Sequence, residues 1–141
     1  MYADNTLTPK EATRLCALGM LADGPMAYAE LAAGVRHFVT HVMGPSLDGL
    51  GTSIELLEHE GLVTPITGEK DQAVLEITND GVKELKMLLK ARIKSAENDL
   101  NKLVIALKFR FMDLLEADER LLQIDLLSDS VENELARLED L

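Results

Sequence analysis

The chain has 141 residues, 47% of them apolar, enough to bury one core and carry an extension. A single cysteine, Cys16, excludes an internal disulfide framework and a cysteine-based zinc site, and no apolar run reaches the roughly 18 residues that spanning a membrane requires. The formal net charge of −11 is spread along the chain, with 7 basic and 13 acidic residues over 1–90 and 7 and 12 over 91–141, so any surface that meets a polyanion must be local.

Met1-Tyr2-Ala3-Asp4-Asn5 has neither the basic flank nor the apolar stretch of a signal peptide, and with the lone cysteine this reads as a cytoplasmic chain. Thr8-Pro9-Lys10-Glu11 is a helix start, with Thr8 as N-cap, Pro9 at the first helical position and Glu11 closing a capping box. That helix runs to about Ala22, with Ala12, Leu15, Leu18 and Leu21 or Ala22 on one face, and Gly24-Pro25 ends it. A second helix is predicted from about Met26 to Val42, where Tyr28, Leu31, Val35, Phe38 and Val42 recur at spacings of three and four. Gly44-Pro45 ends it. A third helix carries Leu47, Leu50, Ile54 and Leu57 and stops at Gly61.

The period then changes. Leu62-Val63-Thr64-Pro65-Ile66 is β-rich, residues 67–72 form a polar turn, and Ala73 to Thr78 alternates like a strand. Three helices followed by a two-stranded hairpin make a winged helix-turn-helix. From Val82 to Leu141 there is no glycine or proline, and this half is predicted to be helix throughout. Leu85, Leu89, Ile93, Ala96, Leu100, Leu103, Leu107, Phe111 and Leu114 make one long stripe. A corner is expected at Leu115–Arg120, with Asp118 as N-cap. Beyond it Leu121, Ile124, Leu127 or Ser128, Val131, Leu135 and Leu138 come close to a heptad.

The fold expected is therefore mainly α with a small β-hairpin: a winged helix-turn-helix domain over 1–81, then long C-terminal dimerisation helices over 82–141. A wing-sized front domain cannot cover both stripes, and pairing with a second copy is the simplest way to bury them. The alternative is a helical hairpin folded back on its own domain. The expected interface is Leu100, Leu103, Leu107, Phe111, Leu121, Ile124, Val131, Leu135 and Leu138.

Three stretches carry a family resemblance. Leu18-Gly19-Met20-Leu21-Ala22-Asp23-Gly24-Pro25-Met26 with Tyr28, Leu57-Glu58-His59-Glu60-Gly61-Leu62-Val63 and Ile77-Thr78-Asn79-Asp80-Gly81 resemble, in order and spacing, the PadR-like transcriptional regulators. Leu107 through Arg120 and on to Leu138 is similar to the C-terminal helical domain found in part of that family. The resemblance implies a homodimeric DNA-binding regulator, often a repressor. It implies DNA contacts from the second helix, the third helix and the wing, and small-molecule effectors near the dimer interface. This sequence departs from the pattern in one respect. The family's third helix carries Tyr and Arg or Lys in its first turns, whereas here Leu50-Gly51-Thr52-Ser53-Ile54-Glu55 stands there. No Lys or Arg occurs from His37 to Glu69.

The candidate DNA contacts are Lys10, Arg14, Arg36, His37, Thr40, Thr52, Ser53 and Lys70. Thr52 and Ser53 lie off the apolar stripe of the third helix, where hydroxyls reach base edges or phosphates or are simply solvated. Lys70 is the cation of the wing tip, and equally ordinary turn chemistry. Lys10 and Arg14, four apart, suit phosphate contact or a solvated face. Arg36, His37, Thr40 and His41 form the polar side of the second helix. His37 and His41 have metal-ligand spacing but no evident third ligand, and no metal or cofactor is expected. Cys16 reads as a buried, inert thiol. Phe109, Phe111 and Met112 suit core packing or an effector pocket between subunits. No phosphate-cradling glycine motif, nucleophile elbow or acid–base pair marks an enzyme. The charge keeps a second reading open: an acidic winged-helix interaction module that binds protein and not DNA.

Overall fold

The computed structural model describes residues 1–43, 50–69, 72–93 and 99–139. It is mainly helical, with one small antiparallel sheet, an architecture compatible with a winged helix. In chain order the elements are α1 (Pro9–Leu21), β1 (Met26–Ala27), α2 (Tyr28–Met43), α3 (Leu50–His59), β2 (Val63–Thr67), β3 (Val74–Ile77), α4 (Asn79–Leu89), α5 (Asp99–Phe111) and α6 (Ala117–Glu139). A single 3-10 turn, Met112–Leu114, separates α5 from α6.

The start of α1 is built as its residues dictate. The Thr8 hydroxyl accepts from the Glu11 N–H at 3.2 Å, and the Glu11 carboxylate accepts from the Thr8 N–H at 3.0 Å. The chain's own amino group lies 2.6 Å from the same carboxylate. Partial burial works to raise the Glu11 carboxyl, but the amino group and the two Thr8 bonds outweigh it and hold the carboxyl below its ordinary value. Glycine at position 19 lets α1 come close to α5, because the Phe111 ring occupies the space a Cβ would take.

The sheet has three strands in the order β1-β3-β2, one more than the expected hairpin. Met26 and Ala27 pair antiparallel with Leu75 and Val74, so the link between α1 and α2 is tied to the wing, and α2 begins at Tyr28. In the hairpin Pro65 faces Leu75 and Thr67 faces Val74, which leaves Ile66 as a bulge, 47% exposed on the wing. Thr78 joins wing to helix. Its hydroxyl accepts from the Gly81 N–H at 3.0 Å as the N-cap of α4 and donates to the Gly61 carbonyl at 2.8 Å.

The second half is not one continuous helix. α4 ends at Leu89, and Arg92 forms an isolated parallel bridge with Thr6, its N–H donating to the Asn5 carbonyl at 2.8 Å. This break has no glycine or proline to announce it; a long-range backbone pairing makes it. The second corner lies close to expectation, with α6 beginning at Ala117 and Asp118 inside its first turn.

One apolar cluster runs from Leu7 to Leu115 and takes in α1, α2, α3, the sheet, α4 and α5. It shows no break at the expected 81/82 boundary: Leu85, Leu88, Leu89, Leu103 and Leu107 are as buried as Leu15, Leu18 and Leu31. Only α6 stands largely outside it. Leu127 is its one buried apolar side chain among the described residues.

Polar ties complete the attachment of α6. Lys90 Nζ lies 2.7 Å from Glu119, and this neighbour holds the Glu119 carboxyl below its ordinary value. Lys108 of α5 is 1% exposed, and its ammonium donates to the Leu89 carbonyl at 2.6 Å and to the Gln123 side-chain oxygen. Leu89 is the last residue of α4, where the carbonyls lack helical partners and the helix dipole is negative. One buried ammonium therefore joins α4, α5 and α6.

Burial pushes the Lys108 amine down from its ordinary 10.5 to about 8. Between those values the unfolded chain holds a proton that the folded chain has released, so stability rises with pH across that window. Below pH 8 both states are protonated and the folded protein bears the full cost of the buried charge. Each pH unit is worth about 1.4 kcal/mol, so the rise is about 3 kcal/mol at most. Urea unfolding followed from pH 8 to 10 will show this upward slope, and Lys108→Met will flatten it. An unchanged slope in that variant would refute the assignment.

Candidate nucleic-acid interface and partner face

Four of the polar residues expected on the second helix come together. Arg36, His37, Thr40 and His41 are exposed or half-buried on α2 and, with Ala33, line an open depression of about 680 Å³. The helix repeat puts His37 and His41 one turn apart, and their rings stack at 6.2 Å between centroids. Among the described residues no group of three metal-ligating side chains includes them. Arg110 adds a cation that sequence reasoning missed. From α5 its guanidinium lies 5.0 Å from the Phe38 ring centroid and 5.5 Å from that of Phe111. Its spacing along the helix marked only an exposed position; packing of α5 on α2 brings it beside Phe38.

Arg14 is placed differently from expectation. Its guanidinium lies 3.0 Å from Glu60 and 3.3 Å from Glu84, binding α1 to the end of α3 and to α4. A guanidinium shared by two carboxylates cross-braces the helices that carry them. Lys10 is exposed at the start of α1. Thr52 and Ser53 lie on α3 by helical placement alone, their side chains lying outside the described set, and Lys70 lies outside the described residues. The described, exposed part of α3 and the turn after it carries Glu55, Leu56, Glu58, His59 and Glu60, an acidic surface for a helix expected to face DNA.

The expected subunit interface divides in two. Leu103, Leu107 and Phe111 lie inside the chain's own core, where α5 packs on α1 and α2. Within the protomer these three side chains help cover α1. Leu121, Ile124, Val131 and Leu135 of α6 are exposed, at 62%, 40%, 54% and 54%. With Ser128 their spacing is 3-4-3-4, the repeat of a coiled-coil seam. Leu100 and Leu138 are placed on α5 and α6, with their side chains outside the described set.

Beside this seam runs a mainly apolar groove of about 470 Å³, lined by Phe109, Met112, Ile124, Leu127, Ser128, Val131 and Glu132. Phe109 is 62% exposed, whereas Phe111 faces the core, so the two phenylalanines do not share a pocket. Asp125, Glu132 and Glu139 add acidic positions along α6. Cys16 is fully buried, and burial pushes its thiol up to about 12 against the opposing charge of Arg110. No described helix is long and apolar enough to cross a membrane.

No curated protein matches the chain. The family model described as “Putative AphA-like transcriptional regulator” matches residues 2–141. A chain matched over almost its whole length, with three helices and a small sheet ahead of its C-terminal helices, belongs to the AphA-like family of transcriptional regulators.

Proposed function

We propose that this chain is a PadR-like homodimeric regulator that binds duplex DNA through its winged-helix half and pairs through α6. The observation that carries the pairing is the exposed 3-4-3-4 stripe of Leu121, Ile124, Ser128, Val131 and Leu135, which continues the groove around Phe109. An isolated protomer rarely leaves such a continuous apolar face in water, and a second α6 offers the same repeat in return. The DNA reading rests on family membership and on the cationic and hydroxyl face of α2.

A second reading has its own support. The acidic exposed side of α3 and the engagement of Arg14 by two carboxylates favour a winged-helix module whose partner is a protein and not DNA. Salt dependence separates the two. Neutralised phosphates release counterions, so affinity for duplex DNA falls linearly with salt on logarithmic axes. Under the DNA reading, Arg36→Ala weakens binding evenly across sequences and lowers that slope by about 1. Absence of affinity for any duplex at low ionic strength would discard the DNA reading and leave the second.

Pairing is tested alongside by sedimentation. The native chain is expected to run as a dimer, and Val131→Glu as a folded monomer, because a buried carboxylate without a partner costs several kcal/mol. A Val131→Glu protein that remains dimeric would place the interface elsewhere.

A further inference from the structure

We infer that Lys108 is a positioning residue: its ammonium, shared between the end of α4 and Gln123 of α6, sets the angle at which α6 leaves the body. The inference rests on the reading of α6 as the pairing helix.

α6 is held at one end. Among the described residues its ties are Leu127, Lys90–Glu119 and Lys108–Gln123, all within its first half, while Val131 and Leu135 are exposed beyond them. Leu127 packing alone tolerates rotation about the contact, since dispersion has no strong direction. The Lys90–Glu119 pair is solvent-facing and weak in orienting power. Hydrogen bonds from a buried ammonium are charge-assisted and directional, and their acceptors stand on two different helices. Among the described residues its two hydrogen-bond acceptors are neutral oxygens and no carboxylate is ion-paired with it. The protein therefore keeps a buried cation on neutral oxygens, at a cost in stability, where Leu or Met would fill the space. What such a group supplies is conformational definition.

Definition matters at this joint because α6 is a lever. At roughly 1.5 Å per residue its 23 residues extend about 34 Å. A tilt of about 10° at Leu127, the last of these ties, moves the far end, about 18 Å further on, by about 3 Å, comparable with the roughly 3.4 Å of helix axis per phosphate of one DNA strand. In a dimer joined through α6, that error passes directly into the separation of the two wings, and hence into the spacing of half-sites the pair can engage.

The experiment is a nitroxide distance within one protomer, between labels at Ile66→Cys on the wing and Asp129→Cys on the outer side of α6. Labelled protein is diluted into unlabelled protein so that each assembly holds at most one labelled copy. Cys16, fully buried, does not take the label. Native background is expected to give one narrow distance distribution. Lys108→Met and, should that variant fold poorly, Gln123→Met are expected to broaden or shift it, while sedimentation stays that of the parent because no seam residue has changed. Lost selectivity between half-site spacings would accompany the broadening. The same narrow distance in both variants would overturn the inference. The measurement lies within one chain, so a native protein that sediments as a monomer would refute pairing through α6, while the distance alone decides the role of Lys108.

Discussion

α1 must be covered on nearly every side, and the arrangement of the remaining chain follows from that requirement. Ala12, Thr13, Leu15, Cys16, Ala17, Leu18, Gly19 and Leu21 are all buried, on faces that point in several directions. The winged-helix elements α2, α3 and β3 cover part of this surface; α4 and α5 cover the rest. Removing a fully buried leucine from water is worth about 2 kcal/mol, so a bare flank of α1 would cost several such contributions. The Phe111 ring seated against Gly19 is where this closure is tightest. α5 thus shares one apolar core with α1 and α2, although it follows the hairpin in sequence.

That division leaves α6 as the one long helix with an uncovered apolar face among the described residues. Its inner side is engaged through Gln123 and Leu127, its outer stripe is not, and its acidic positions keep the remainder solvated. The charged groups divide in the same way. Arg14 is engaged within the protomer by Glu60 and Glu84, and Lys108 is engaged at the joint of three helices. Of the cations expected to meet DNA, Lys10 and Arg36 remain exposed among the described residues, with His37 and His41 beside Arg36. A regulator built this way has a small positive surface on a strongly negative molecule, so the contact with DNA proposed for it would depend heavily on ionic strength.

Local chemistry made part of this legible in the sequence. Thr8 and Glu11 announced the first helix, the stripe of Leu31 and Val35 announced α2, and the change to period two announced the wing. What escaped depends on residues distant in the chain. Arg14 looks like a free cation until the fold brings up carboxylates 46 and 70 positions away. The end of α4 carries no breaker, because its causes are the Thr6–Arg92 bridge and the Lys108 ammonium from α5. β1 is two residues long, too short for any alternation to register. The stripes of α5 and α6 have the same spacing, so periodicity could not say that Leu107 faces α1 while Val131 faces outward. That distinction is made by the unmet cover of α1, a property of the whole fold.

We propose that α5 completes the protomer while α6 is stabilised by a second copy. The most direct test is thermal unfolding of the native chain over a hundredfold range of protein concentration. A folded state that includes a second copy gains stability by mass action, so the midpoint is predicted to rise steadily with concentration. A midpoint independent of concentration, in a protein that unfolds reversibly, would contradict the account and place the α6 stripe in water.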